Sequence, residues 1–219
     1  MLELLLNKSR DSSLKILCLG AHSDDIEIGC GGTIMKLLQT YSNAELLWVV
    51  FSADEIRKKE ALKSASLLLE KALIKKIRIH NFRDSFFPYQ GSEIKESFED
   101  IKAFNPDLIF THQYSDLHQD HKQISELTYN TFRNHLVLEY EIPKYDGDLG
   151  SPNVFSPLEK TLCNQKTKLL IDSFKSQEHS QWFSDSTFQA ILRLRGIEAN
   201  SPTGYAEAFY CRKIVINSN

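Results

Sequence analysis

Two short segments of this sequence carry histidine and aspartate residues at spacings that suit a metal ion. The first is His22-Ser-Asp-Asp25, and the second is His118-Gln-Asp-His121. A catalytic zinc ion takes three protein ligands and keeps a fourth position for water, and imidazole and carboxylate groups are suitable ligands. A single histidine, or paired aspartates at a helix start, is more often structural. Two such segments in one chain are harder to explain in this way, and they favour a metal site.

Each segment directly follows a predicted strand. Leu14–Gly20 is a short apolar run that ends at glycine, and Asp107–Thr111 is a second short run with an apolar centre. Ligand sites in doubly wound sheets lie at the carboxyl ends of the strands, so we expect the two segments to meet there. His22 and Asp25 can converge on one ion from the turn after the first strand. His121, at the start of the following helix, can complete the ligand set.

Three further residues in these segments can support the chemistry. Asp24 lies beside a predicted ligand and is placed to take a proton from a water molecule. His118 precedes His121 by about one helical turn, so it can approach that water without binding the ion. His112 is expected to support the site rather than to bind the metal.

The rest of the chain alternates between strand and helix patterns. This alternation predicts an α/β, single-domain, Rossmann-like fold with a mostly parallel sheet and helices on both faces. Leu62, Ala65, Leu69 and Leu73 are expected on one face of the second helix, which Asp54 would cap. The turn-rich residues 143–153 are interpreted as an active-site loop. The other predicted strands cover residues 45–51, 76–80, 135–140 and 208–216, and the predicted helices cover about 29–41, 54–73, 92–104, 119–133, 159–174 and 185–195.

Composition and charge exclude several classes of function. The chain has 219 residues and a formal net charge of −3, and it shows no basic stripe that would indicate a nucleic-acid partner. No apolar run is long enough to predict a membrane span. The N-terminus lacks the basic start of a secretory signal. Four cysteines without C-x-x-C spacing favour a reducing compartment, so we expect the protein to be cytoplasmic.

The two segments, taken with their neighbours, resemble the LmbE-like (PIG-L) zinc N-deacetylase family. The resemblance rests on A-H-S-D-D-I-E-I-G-C-G-G-T at 21–33 and D-L-H-Q-D-H at 116–121. Ser23 stands where the family usually has proline. Ile26 stands where the shorter motif has glutamate, and Glu27 follows it instead. Glu27 could act either as a partner for His22 or as a charge at the helix N-terminus. Weaker matches occur at 57–60, 83–85, 176–177 and 204–209.

This resemblance implies one deacetylase domain over residues 1–219. It implies zinc-dependent hydrolysis of an N-acetyl group on an amino sugar or N-acetylglucosaminyl conjugate, a small-molecule substrate, with release of acetate and a free amine. Zn²⁺ is the expected metal, with another divalent ion such as Fe²⁺ as the alternative. The implied metal ligands are His22, Asp25 and His121, the general base is Asp24, the polarising or acid group is His118, and the residues that hold sugar hydroxyls are Arg57 and Asp84.

Other functions stay open at the level of sequence. The same metal site could serve a hydrolase of another amide or of an O-acyl ester, or a non-catalytic metal- or sugar-binding protein. Gly29-Cys-Gly31-Gly32 resembles a phosphate loop, but its spacing does not match G-x-G-x-x-G, so we expect these glycines to permit close helix packing. The sequence does not show which amino sugar is used, whether the chain forms a homo-oligomer, or whether Asp116 or Asp120 orients His118.

Overall fold

The computed structural model of the protein describes residues 6, 8, 9 and 12–216. The strands are β1 (Leu14–Gly20), β2 (Ala44–Val50), β3 (Ile74–Ile79), β4 (Leu108–His112), β5 (Leu136–Tyr140), β6 (Val154–Pro157) and β7 (Ala206–Tyr210). The helices are α1 (Asp25–Thr40), α2 (Glu55–Leu68), α3 (Gly91–Lys102), α4 (Gln119–Thr131), α5 (Lys160–Ser173) and α6 (Asp185–Glu198). Two short 3₁₀ turns span Phe87–Tyr89 and Lys175–Gln177.

The seven strands form one sheet in the order β3-β2-β1-β4-β5-β7-β6. The first five in this order are parallel to one another, and β7 runs antiparallel to both β5 and β6. The strand order reverses between β1 and β4, which pair directly, so the loops that follow these two strands meet at the carboxyl edge of the sheet. The predicted Rossmann-like α/β fold is confirmed.

Helices cover both faces of the sheet. Side chains of α1, α2, α5 and α6 pack on one face, and those of α3 and α4 pack on the other. Each face of the sheet has its own hydrophobic core, and alternate residues of β1 pack into the two cores. Ile16 packs with the first group of helices, and Leu17 packs with the second. Within the described part of the chain, no helix is long and apolar enough to cross a membrane.

Helix α1 begins at Asp25, four residues before the predicted start. Its glycines therefore lie inside the helix and do not form a phosphate loop. A Cβ on Gly29 would lie 2.2 Å from Cδ2 of Tyr140, and one on Gly32 would lie 2.5 Å from Cδ1 of Leu158. The glycines thus permit the close packing that was expected of them.

Helix α2 has the predicted cap but not the predicted buried face. Asp54 accepts hydrogen bonds from the backbone N–H groups of residues 56 and 57, which confirms its capping role. Ala65 and Leu69 are buried, but Leu62 is 39% exposed and Leu73 is 62% exposed. The helix ends at Leu68, and small residues line much of its buried side, so the leucine spacing alone was misleading.

The C-terminal region differs from the sequence prediction in two respects. The predicted strand at 208–216 ends at Tyr210, and the unpredicted strand β6 pairs with β7 at the edge of the sheet. β6 has only four residues and ends in Pro157, which an edge strand tolerates because it needs fewer backbone donors. Such a short segment carries too little alternation to be recognised from the sequence.

Candidate active site

The turn between β1 and α1 places the first group of site residues. The backbone N–H of His22 donates to Oδ2 of Asp25 at 2.6 Å, which closes the turn. Asp25 then occupies the first position of α1, where the partial positive charge of the helix terminus stabilises a carboxylate. Because β4 is the neighbour of β1, the start of α4 brings His121 to the same point.

Three side-chain donors converge between these two loops. Nδ1 of His22 lies 3.1 Å from Nε2 of His121 and 3.5 Å from Oδ2 of Asp25. Nε2 of His121 lies 3.6 Å from Oδ1 of Asp25. Ligands bound about 2.1 Å from a tetrahedral ion are separated from one another by about 3.4 Å. The distances to Asp25 run to different oxygens, so its carboxylate approaches each histidine with a separate oxygen. Among the described residues, His22 and Asp25 each share a donor group with His121, but the three together are not one group of single donor atoms within 4.8 Å of one another.

The far nitrogen of each histidine faces carboxylates. Nε2 of His22 lies 3.3 Å from Asp120 and 3.2 Å from Asp84, and Nδ1 of His121 lies 3.0 Å from Asp116. A carboxylate at one ring nitrogen favours the N–H there and leaves a lone pair on the other nitrogen. Two such lone pairs and a carboxylate then meet at one point, where they repel each other unless a cation lies between them. This donor set fits a divalent metal.

The charges of Asp25 and His121 agree with this fit, whereas metal binding to His22 would have to displace a proton from its ring. Burial favours neutral Asp25, but the charges of His121 and His112 outweigh it and hold the pKa of Asp25 well below its usual range. Burial, followed by the charge of His112, lowers the pKa of His121 to about 3, so its ring is neutral and able to coordinate a metal. Burial alone would lower the pKa of His22. Hydrogen bonds to aspartates have the opposite and larger effect, so the pKa of His22 lies well above its ordinary value.

Neighbouring donors overlap with this set. Nε2 of His112 lies 3.2 Å from Asp25, but it also accepts a hydrogen bond from the backbone N–H of Ala21 at 3.0 Å, and His112 is fully buried. A catalytic ion needs an open position for water. This requirement favours the predicted set with His22 over the set with the fully buried His112. The donor groups that lie within 4.8 Å of one another are His22/His118/His121, Asp25/His112/His121 and His22/Asp84/Asp120.

Asp24 lies next to the converging donors with one oxygen available. Its Oδ1 accepts a hydrogen bond from Nη2 of Arg57 at 2.6 Å, while its Oδ2 is buried and has no hydrogen-bond partner among the described residues. Burial raises the pKa of Asp24, and the opposing charge of Arg57 only partly offsets this effect. A buried carboxylate with a raised pKa and a free oxygen is suited to accept a proton.

A cleft of about 300 Å³ opens beside His22. This volume is at the lower end of the range for small-molecule sites. Both predicted sugar-binding residues, Arg57 and Asp84, line the cleft, although Arg57 also holds Asp24 and Asp84 also reaches His22. The full lining is His22, Ser52, Ala53, Asp54, Arg57, Asn81, Phe82, Arg83 and Asp84.

Comparison with known families decides where the chain belongs. The family model of PIG-L, described as GlcNAc-PI de-N-acetylase, matches residues 17–132, which is just over half of the chain. The matched region contains both segments that carry the predicted ligands and the residues of the cleft. The chain belongs to the PIG-L family.

Solved structures with the same fold include PIG-L-like deacetylases. An N,N'-diacetylchitobiose deacetylase from Pyrococcus horikoshii has 23% identity and a TM-score of 0.69, over 90% of this chain and 83% of that one. A teicoplanin deacetylase has 16% identity and a TM-score of 0.68, over 90% and 97%. The 4-carboxy-2-hydroxymuconate hydratase from Pseudomonas putida KT2440 has 15% identity and a TM-score of 0.71, over 94% and 99%. At these identities the similarity establishes the fold.

In this PIG-L chain, the side chains of Asp116 and Asp120 form no hydrogen bond with the His118 ring. Asp116 accepts from the backbone N–H of His118 at 2.8 Å and contacts the ring of His121. The His118 ring caps α4, since its Nδ1 accepts from the backbone N–H of Asp120 at 3.2 Å. Because Nδ1 is an acceptor, the ring proton lies on Nε2, which makes Nε2 a hydrogen-bond donor.

Asp120 connects the metal-binding histidine with the wall of the cleft. Its side chain accepts hydrogen bonds from the backbone N–H groups of Ser85 at 2.7 Å and Phe87 at 3.1 Å, and it also faces His22. Ser85 has a φ of 64°, a left-handed conformation that is unfavourable for serine and that these contacts hold in place. No sequence pattern indicates this connection, because it depends on the approach of the loop after β3 to α4.

Glu27 has no direct part in the metal site of this PIG-L chain. It is buried in the first turn of α1, and neither of its oxygens bonds to His22. Its place in the first turn agrees with the second role left open, but the raised pKa means that it supplies little of the expected charge at neutral pH. Burial raises its pKa to about 8, so the carboxyl group is mostly protonated at neutral pH.

We expect Glu27→Gln to remove part of the pH dependence of stability. The folded pKa of Glu27, about 8, lies above its unfolded value, so its contribution to stability is full below the unfolded pKa and is lost as the pH rises through about 8. The loss is on the order of a few kcal/mol. Urea unfolding of both proteins at several pH values tests this expectation. The stability of the variant relative to wild type should increase with pH, whereas a constant difference would contradict the assignment.

Proposed function

We propose that the protein is a metal-dependent deacetylase that hydrolyses the N-acetyl group of an amino sugar or N-acetylglucosaminyl conjugate. The observation that carries this proposal is the convergence of His22, Asp25 and His121 at 3.1–3.6 Å beside the free oxygen of Asp24. The family description and the two deacetylases of the same fold support the reaction class. Zn²⁺ is the proposed metal, and Fe²⁺ is the alternative because both ions accept imidazole and carboxylate ligands.

His22, Asp25 and His121 would hold the metal. When bound, such an ion polarises an amide carbonyl and lowers the pKa of a water molecule from about 15.7 towards roughly 7. Asp116 and Asp120 keep the two histidine rings in position through their far nitrogens, at 3.0 Å and 3.3 Å respectively. Outer contacts of this kind fix the tautomer and the direction of the coordinating lone pair.

Asp24 would act as the general base. Its free Oδ2 takes a proton from water as the water oxygen attacks the carbonyl carbon, and the Arg57 guanidinium keeps the other oxygen in place. The same carboxyl group then gives the proton to the amine nitrogen as the C–N bond breaks. The products are acetate and a free amino sugar.

His118 would stabilise the negative charge that develops on the carbonyl oxygen. Its ring lies with its centroid 4.6 Å from that of His121 and 5.0 Å from that of His22, so it is close to the reacting atoms. With Nδ1 used as the helix cap, Nε2–H is the group available to donate. A fixed donor at this position contributes strongly to catalysis.

The cleft beside His22 would bind the sugar. Asp84, Asn81 and Arg57 all line the cleft and offer hydrogen-bonding groups, and Arg57 also donates to Asp24. The substrate is therefore proposed to be a small molecule, with its acetamido group towards Asp24. The four cysteines are free and buried, which agrees with the proposed cytoplasmic location.

A substrate panel tests the proposed reaction. We expect acetate release from N-acetylglucosamine conjugates and none from sugars that carry only O-acetyl groups. Preferential cleavage of O-acetyl esters or of non-sugar amides would contradict the proposal and support another hydrolase on the same site. The hydratase that shares this fold shows that fold alone does not determine the reaction, so an enoate hydration assay belongs in the panel.

A further inference from the structure

Lys144 lies in the loop after β5, with its ammonium group enclosed by two carboxylates. Nζ is 3.1 Å from Oδ2 of Asp116 and 2.7 and 2.6 Å from the two oxygens of Asp148. The exposed fractions of the three side chains are 9% for Lys144, 0% for Asp116 and 4% for Asp148. The cluster is therefore shielded from solvent, where ionic contacts are much stronger than at the surface.

The cluster contacts the metal site through one oxygen. Oδ2 of Asp116, which Lys144 approaches, is also the atom that lies 3.0 Å from Nδ1 of His121. The other oxygen of Asp116 accepts from the backbone N–H of His118. Both oxygens of Asp116 are thus used, and Lys144 is the cation that stabilises the carboxylate in this orientation.

Asp148 connects the same loop to the segment before α4. Its Oδ2 accepts from the backbone N–H of Leu117 at 2.8 Å, and its backbone carbonyl accepts from Nε2 of Gln113 at 3.1 Å. The loop after β5 is thereby joined to the loop after β4, which carries Asp116 and His118. Lys144 and Asp148 lie outside the region matched by the family model, residues 17–132.

We propose that Lys144 is a positioning residue for the metal site, which holds Asp116 against His121 and joins the loop after β5 to it. The inference rests on the proposed function, since it takes His121 as a metal ligand. Without the ammonium group, Asp116 would lose the cation that holds it in this orientation against His121. The lone pair of His121 would then lose its fixed direction. Asp116 and Asp148 would in addition be two buried carboxylates that repel each other, which lowers stability.

Zinc affinity of three proteins tests this role without any assay of turnover. The zinc dissociation constant is measured by competition with a chromogenic chelator for wild type, for Lys144→Met and for Lys144→Met combined with Asp148→Asn. We expect the dissociation constant to rise by roughly tenfold or more in both variants, as for the loss of other outer partners of metal ligands. The double variant relieves the charge repulsion, so its thermal stability should recover while its zinc affinity stays low.

A second buried ion pair supplies the matched control. Arg195 and Glu141 are also buried, at 2.6 Å, and Arg195 also bonds the backbone oxygen of Gly150 in the same loop, but neither residue contacts Asp116. Arg195→Met combined with Glu141→Gln should keep the wild-type zinc affinity. Unchanged or tighter zinc binding in Lys144→Met, or full recovery of affinity in the double variant, would overturn the proposal. Failure of wild type to bind zinc would instead contradict the proposed function.

Discussion

Replacement of Asp24 by asparagine is expected to abolish most of the catalytic activity while the metal stays bound. Asparagine has the same shape, and its oxygen can still accept from Arg57, but the atom at the position of Oδ2 can no longer take a proton. Loss of a general base lowers kcat on the order of 10²–10⁴-fold. Metal content should be unaffected because Asp24 is not one of the three converging donors. The measurement is acetate release together with metal analysis of the same preparation.

Glu27→Gln is the matched control for this variant. Glu27 lies on the same helix, is buried to a similar degree, and does not contact the converging donors. Its substitution should leave kcat close to that of wild type. If Asp24→Asn with full metal content turns over at the wild-type rate, the base is another group. If the variant loses its metal, Asp24 acts on the ligand set instead.

Replacement of His121 by alanine is expected to remove the metal and, with it, the activity. The variant deletes one of three donors and leaves the Asp116 carboxylate with Lys144 and the backbone N–H of His118. Loss of an outer partner already weakens metal binding by about 10–100-fold, and loss of a direct ligand should exceed this range. Metal content after dialysis and chelator competition both measure the effect.

His179→Ala controls for the general effect of removing a histidine. The His179 side chain is 92% exposed and lies near Glu178, away from the converging donors. It should retain both metal and activity. Circular dichroism of His121→Ala would show whether the fold persists, so that loss of metal is not confused with unfolding. A folded His121→Ala protein that retains one tightly bound metal would contradict its role as a ligand.

The sequence predicted the position of the site because two simple regularities coincide there. Strands β1 and β4 are recognisable as apolar runs, and parallel strands place the residues that follow them at one edge. His22, Asp25 and His121 are therefore brought together by features that a sequence displays. The start of α1 was harder to predict, because glycines that normally weaken a helix are used here for contact with Tyr140 and Leu158.

The support around the site could not be predicted in the same way. Asp116 and Asp120 each lie two residues from His118 in sequence, yet the rings they contact belong to His121 and His22. These partners depend on side-chain directions at the start of α4. Lys144 lies in a turn-rich segment without periodicity, so its contact with Asp116 arises only after β5 has paired with β4.

The most direct test of the account is a metal titration of protein stripped with a chelator, with acetate release from an N-acetylglucosamine conjugate as the signal. We expect no activity without metal and a linear rise on addition of Zn²⁺ or Fe²⁺ that reaches a plateau at one ion per chain. Asp24→Asn should bind the same amount of metal and stay inactive. Full activity in stripped protein, or no binding of either metal, would contradict the proposed metal-dependent deacetylase.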